Sequence, residues 1–130
     1  MACLETTFLV DLIRGNEEAE SIFNNLIEVG SSITIASPSL MEIISGASTN
    51  QKRDEKKQIE EILSSITVLP LTKESAILAG EIDSELMIAG EPIGTTDIMI
   101  GAIAKHNNET LITRNKKHFE KIKGLKIESY

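Results

Sequence analysis

The 130-residue chain carries 13 Lys and Arg against 20 Asp and Glu, a formal charge of −7, and is 41% apolar, 25% charged and only 3% aromatic. That size and balance suit one ordinary domain spanning residues 1–130, with a core of Ile, Leu, Val, Ala and Met. With one cysteine, Cys3, no apolar run near the roughly 18–20 residues of a membrane span, and no basic-then-apolar leader, we expect no disulfide scaffold, cysteine-rich zinc module, membrane protein or secreted protein.

The setting expected from the lone cysteine is a reducing cytoplasm. The acidic balance argues against a broad basic surface that coats nucleic acid. It is compatible with an enzyme that holds a divalent metal in clustered carboxylates and acts on phosphodiesters.

In chain order, Ala2-Cys3-Leu4 reads as a first strand ending near Glu5, followed by a turn and a helix through Leu12 to Arg14, broken at Gly15. Asn16 is an N-cap candidate, and Glu17, Glu18 and Glu20 fall in the first turn, where the helix dipole favours acids. Ile22, Phe23, Leu26, Ile27 and Val29 recur at helical spacing up to Gly30. Ile33–Ala36 reads as a second strand. Ser37-Pro38 starts a helix expected to stop near Gly46, Ser48-Thr49-Asn50 reads as a loop, and a charged helix follows from Lys52 to Leu63. Ile66–Leu69 is a third strand, Lys73–Ala89 a helix, and Gly94-Thr95 opens another. Thr110–Thr113 is a fourth strand, Lys116–Lys121 a short helix, and Leu125–Ile127 a weak last strand. The alternation predicts an α/β domain with a parallel sheet wrapped by helices.

Right-handed crossovers align the carboxyl ends of parallel strands on one edge. Glu5, Glu42, Asp97 and Asn115 all map to that edge. Each has a structural explanation to set beside a functional one. Asp97 lies where a helix dipole welcomes an acid, Asn115 lies where a cap is common, and Glu5 can be a polar strand end. Glu42 lies within Leu40-Met41-Glu42-Ile43-Ile44, and an unpaired buried carboxylate costs several kcal/mol. It must reach solvent, meet a base or bind metal; no basic residue lies within one helical turn, so metal explains it best. Oxygen-only ligands suit Mg²⁺ or Mn²⁺ rather than zinc. His106 and His118 lack a paired ligand spacing and read as surface residues, and Cys3 as a small buried side chain.

Four blocks carry a family resemblance over essentially the full length: Leu4-Glu5-Thr6-Thr7-Phe8-Leu9-Val10-Asp11-Leu12-Ile13-Arg14-Gly15, Ser37-Pro38-Ser39-Leu40-Met41-Glu42, Pro92-Ile93-Gly94-Thr95-Thr96-Asp97-Ile98-Met99-Ile100-Gly101-Ala102, and Leu111-Ile112-Thr113-Arg114-Asn115-Lys116-Lys117-His118-Phe119. In that order and spacing the chain resembles PIN-domain proteins, specifically VapC-type toxin ribonucleases of toxin–antitoxin pairs. The resemblance implies a single PIN-like domain with a five-stranded parallel sheet flanked by helices. It also implies an acidic pocket for Mg²⁺ or Mn²⁺, hydrolysis of single-stranded RNA, a homodimer and a small antitoxin partner. Glu42 and Asp97 match the family's second and third acids. Glu5 stands where Asp is usual, and Asn115 where many members have Asp.

The expected site is then Glu5, Glu42, Asp97 and Asn115 as catalytic residues, the three acids as metal ligands, and Thr7, Thr95 and Thr113 in support. Arg14, Arg114, Lys116 and Lys117 are expected phosphate contacts, with Lys121, Lys123 and Lys126 grouped beside the same edge. Residues 16–29 and 52–63 carry apolar stripes, one of which is expected to form part of an antitoxin groove. The competing expectation is a catalytically impaired PIN domain that binds RNA or protein.

Overall fold

The computed structural model describes residues 1–49 and 53–130. Its strands are β1 (Ala2–Leu4), β2 (Ile33–Ala36), β3 (Thr67–Leu69), β4 (Thr110–Ile112) and β5 (Lys126–Glu128). Its helices are α1 (Thr6–Ile13), α2 (Glu17–Glu28), α3 (Ser37–Thr49), α4 (Arg53–Leu63), α5 (Lys73–Ile88), α6 (Thr95–His106) and α7 (Lys116–Phe119). The strands form one parallel sheet in the order β3-β2-β1-β4-β5, the α/β class and strand number expected. The chain builds outward from β1 through β2 to β3, then crosses back to place β4 on the other side of β1. The β1/β4 boundary is therefore the switch point, outside whose carboxyl ends ligands bind in open α/β sheets.

Strand alternation sorts the core into two faces. Leu4, Ile35 and Ile112 point to one face, where they pack with Phe8, Leu9, Ile43 and Ile59 of α1, α3 and α4. Cys3, Ala36 and Leu111 point to the other, against Ile82, Leu86, Ile103 and Phe119 of α5, α6 and α7. With few aromatics available, each face has one fully buried Phe.

Local chemistry accounts for most boundaries. Asn16 Oδ1 accepts from Ala19 N at 2.9 Å and caps α2, whose first turn holds the three expected acids. Gly30 closes it at φ +67°, a left-handed conformation that glycine adopts without a Cβ penalty. Two expectations are corrected. No turn separates β1 from α1, because Glu5 itself caps the helix. Helix α3 does not stop at Gly46 but continues to Thr49, so Ser48 and Thr49 are helical. Ser39, Ile43 and Ala47 form one buried stripe, and burying Ala47 outweighs the roughly 1 kcal/mol that an interior glycine costs. Asn50 and Lys52 lie outside the described residues.

Candidate active site

Register creates the centre of the site. Leu4 pairs with Ile112 across β1 and β4, so the next residues, Glu5 and Thr113, emerge side by side at the carboxyl edge. Glu5 is only 2% exposed and Thr113 fully buried. Glu5 Oε2 accepts from Thr7 N at 2.7 Å, from Thr7 Oγ1 at 2.6 Å and from Thr113 Oγ1 at 3.1 Å. Those hydroxyls are aimed in turn by backbone donors: Arg114 N donates to Thr7 Oγ1 at 3.1 Å, and Asn115 N to Thr113 Oγ1 at 2.9 Å. Two chain segments, one following β1 and one following β4, thus fix one carboxylate oxygen. Burial raises the Glu5 pKa, the Thr7 and Thr113 donors oppose the rise, and the Asp97 charge adds to it.

Asp97 reaches the same edge from the first turn of α6. His118 Nδ1 lies 3.0 Å from its Oδ2, and the Asn115 amide nitrogen lies 2.8 Å from that same ring nitrogen. A single Nδ1 proton cannot serve Asp97 while the nitrogen also accepts from Asn115. For Nδ1 to donate to Asp97, the Asn115 amide must turn its oxygen to the ring, because an unprotonated Nδ1 would set two acceptors against each other. His118 is exposed, as expected of a surface residue, but it also belongs to the Asp97 network, which the sequence analysis missed. The signal was its i+3 spacing from Asn115 at the start of α7. Asn115 occupies the N-cap position of α7 but makes no side-chain capping bond; its amide goes to His118.

Glu42 arrives by a third route. It is half-buried on α3, and its Oε1 accepts from Thr6 Oγ1 at 2.6 Å. A hydroxyl partner was absent from the sequence-level options of solvent, base or metal. Since Thr6 is the first residue after Glu5, this bond ties Glu42 to the helix end that Glu5 caps. Glu42 also lines a cleft of about 80 Å³ with Arg14, Ile43, Glu55 and Ile59.

The remaining candidates separate. Thr7 and Thr113 support Glu5, whereas Thr95 is exposed and, among the described residues, no side-chain hydrogen bond joins it to the acids. Arg14 caps the far end of α1, about 14 Å along the helix from Glu5. Arg114, Lys116 and Lys117 flank Asn115 and are exposed. Lys126 belongs elsewhere: it opens β5, and its Nζ donates to Asn108 Oδ1 at 3.0 Å at the amino edge of the sheet. Lys121 and Lys123 lead into that strand start, so these three do not line the carboxyl edge. Cys3 is fully buried, which raises its thiol to about 12 and leaves it unreactive.

Among the described residues, no three His, Cys, Asp or Glu side chains are set around a common point as a ready cage for a metal ion. The donor chemistry nevertheless fits a hard cation. Glu5, Asp97 and Glu42 each have one oxygen fixed by a protein donor. Among the described residues, nothing donates to the other oxygen. Mg²⁺ keeps several waters and needs only one or two carboxylates beside a substrate phosphate.

Comparisons with known proteins bear on the fold and the family. The family model for the PIN domain matches residues 2–125. Ribonuclease VapC2 of Rickettsia felis is 30% identical over 130 residues, covering 98% of this chain and 96% of the relative. The tRNA(fMet)-specific endonuclease VapC of Shigella flexneri is 35% identical over 97 residues, 74% of each chain. Among solved structures, VapBC2 from Rickettsia felis bound to a promoter DNA fragment superposes with a TM-score of 0.91 at 27% identity, covering 99% of this chain and 98% of that one. DNA-bound VapBC from Salmonella typhimurium gives 0.86 at 30% identity, covering 98% and 96%. A parallel sheet with acids at its β1/β4 switch point, matched over nearly its whole length by that family, places this chain in the PIN domain family, among its VapC-type members.

Proposed function

We propose that the chain is a metal-dependent endoribonuclease, the toxin of a toxin–antitoxin pair, which hydrolyses phosphodiesters of single-stranded RNA. One observation carries this: in a PIN fold, Glu5 and Asp97 are neighbours at the switch point, each with one oxygen held by protein donors and the other left for a ligand. The names of the relatives, ribonuclease and tRNA-specific endonuclease, support the reaction class.

Glu5 and Asp97 would hold Mg²⁺ or Mn²⁺, with Glu42 as the third acid. Such an ion supplies Lewis acidity, which lowers the pKa of a water and neutralises phosphate charge. Thr7 and Thr113 keep the Glu5 carboxylate from rotating. His118 and Asn115 do the same for Asp97, and a metal site is tuned by such supporting bonds. Arg114, Lys116 and Lys117 would receive the RNA backbone beside an otherwise acidic pocket.

The partner proposed is a small antitoxin, supported by structural relatives solved as VapBC complexes. Its groove would use the apolar stripes of α2 and α4. A homodimer is also proposed. Ile77 and Ile88 of α5 are both exposed and, eleven residues apart, share one helix face, an apolar surface a second copy could cover.

The test is cleavage of a labelled single-stranded RNA by the purified chain, with Mg²⁺ and with EDTA. Cleavage that requires Mg²⁺ and disappears in Asp97→Asn is expected; cleavage that persists in EDTA contradicts the proposal. Glu5→Asp separates a working site from an impaired one. A large gain in rate assigns impairment to the extra methylene of Glu5, and little change assigns Glu5 a working role. Co-expression with a neighbouring small gene product should relieve growth arrest if an antitoxin is encoded there.

A further inference from the structure

A second buried carboxylate, one turn along α1 from Thr7, has no part in the site described so far. The side chain of Asp11 is 9% exposed and lies among the apolar residues of α1. Burying a carboxylate there is tolerable only with strong partners, and two are present. Tyr130 donates its hydroxyl to Asp11 Oδ2 at 2.7 Å, and Arg114 reaches Asp11 Oδ1 at 3.2 Å.

Arg114 is the junction. Its backbone N–H is committed to Thr7 Oγ1, inside the network that fixes Glu5, and its chain neighbours are Thr113 and Asn115. Its side chain runs back along α1 to Asp11 yet remains 58% exposed. One edge of the guanidinium is thus anchored, while the planar fork keeps further N–H donors free for an oxyanion. Tyr130 is itself fixed, its ring edge-on to Phe8 at 5.5 Å between centroids. With Oδ2 taken by the phenol, Asp11 offers Oδ1 to Arg114 in a single orientation. A freely rotating arginine would suffice for a surface ion pair; this one is held from two sides beside a pocket of acids that repels a polyanion.

We propose that Asp11 and Tyr130 are positioning residues that hold the Arg114 guanidinium at the rim of the acid pocket as a fixed contact for an RNA phosphate. The proposal rests on the ribonuclease function above for its substrate. The competing account is purely structural: the three side chains tie Tyr130 to α1 and do nothing else.

Affinity for a short labelled single-stranded RNA, measured in EDTA across a salt series, separates the two without any cleavage, and KM and kcat in Mg²⁺ are measured alongside. Tyr130→Phe keeps the ring against Phe8 and removes only the hydroxyl, so it avoids the folding risk of changing Asp11. Arg114→Ala should weaken binding about tenfold, as expected for one charge-assisted phosphate contact, and lower the salt slope by about 0.7. Tyr130→Phe should weaken binding several-fold, raise KM with little change in kcat, and add nothing in an Arg114→Ala background. Arg114→Lys should recover only part of the loss, since it restores charge without the fork. A Tyr130→Phe variant that lowers thermal stability but leaves RNA affinity unchanged overturns the proposal, as do additive effects of the two substitutions. Wild-type cleavage with an unaltered KM in Arg114→Ala overturns the positioning role and leaves the ribonuclease function standing. Wild-type binding without Mg²⁺-dependent cleavage overturns the ribonuclease function, while coupled losses in RNA affinity still support the positioning role.

Discussion

Two glutamates are buried at opposite edges of the same sheet, and only one is organised to react. Glu5, at the carboxyl edge, is 2% exposed and takes three hydrogen bonds on one oxygen. Glu109 precedes β4 at the amino edge, is 5% exposed, and among the described residues its Oε2 has no hydrogen-bond partner. Burial raises the pKa of both. What distinguishes a site is therefore not burial but preorganised donors on one oxygen, a second acid nearby and a free oxygen left over.

The largest expected effects break this comparison outright. Glu5→Gln should reduce Mg²⁺-dependent cleavage by at least about a hundredfold, and Asp97→Asn by as much, since removing a ligand should exceed the 10–100-fold typical of supporting residues. Glu109→Gln should leave the cleavage rate near wild type. Single-turnover cleavage assays on the three variants check this, with circular dichroism to verify the fold.

A smaller loss, about 10–100-fold in metal affinity or rate, is expected for His118→Ala, which leaves Asp97 without its partner. Thr113→Val removes a donor from Glu5 and the acceptor for Asn115 N. It should cost about 1–3 kcal/mol in chemical denaturation, because a buried group loses its partner.

The smallest effect is shared by both edges. With raised folded-state pKa values, Glu5 and Glu109 bind their protons more tightly folded than unfolded. Their contribution to stability is present in full below the ordinary carboxylate pKa and is lost as pH rises through the folded values. Melting temperatures of metal-free protein across that range should show both Glu→Gln variants losing less stability than wild type as pH rises. Added Mg²⁺ should narrow the gap between wild type and Glu5→Gln only, because an ion favours the charged form of Glu5 and leaves Glu109 untouched.

The sequence carried the sheet, its order of elements and the edge to which the acids map, because strand alternation and parallel topology follow from local patterns. It missed the extension of α3 past Gly46, where the buried stripe from Ser39 to Ala47 outweighs helix propensity. Glu42 stood out in its apolar run, yet its partner, the Thr6 hydroxyl 36 residues away, is set by tertiary packing. Asp11 interrupts Phe8-Leu9-Val10 and Leu12-Ile13 just as visibly, but Tyr130 is 119 residues distant and no local rule connects them. Lys126 was assigned to the wrong edge because a parallel strand begins, rather than ends, at the amino side.

Calorimetric titration of Mn²⁺ into wild type, Glu5→Gln, Asp97→Asn and Glu109→Gln is the most direct test of the account. Binding to wild type and Glu109→Gln, with loss in Glu5→Gln and Asp97→Asn, is the predicted result. Equal Mn²⁺ affinity in Glu5→Gln and wild type would contradict it.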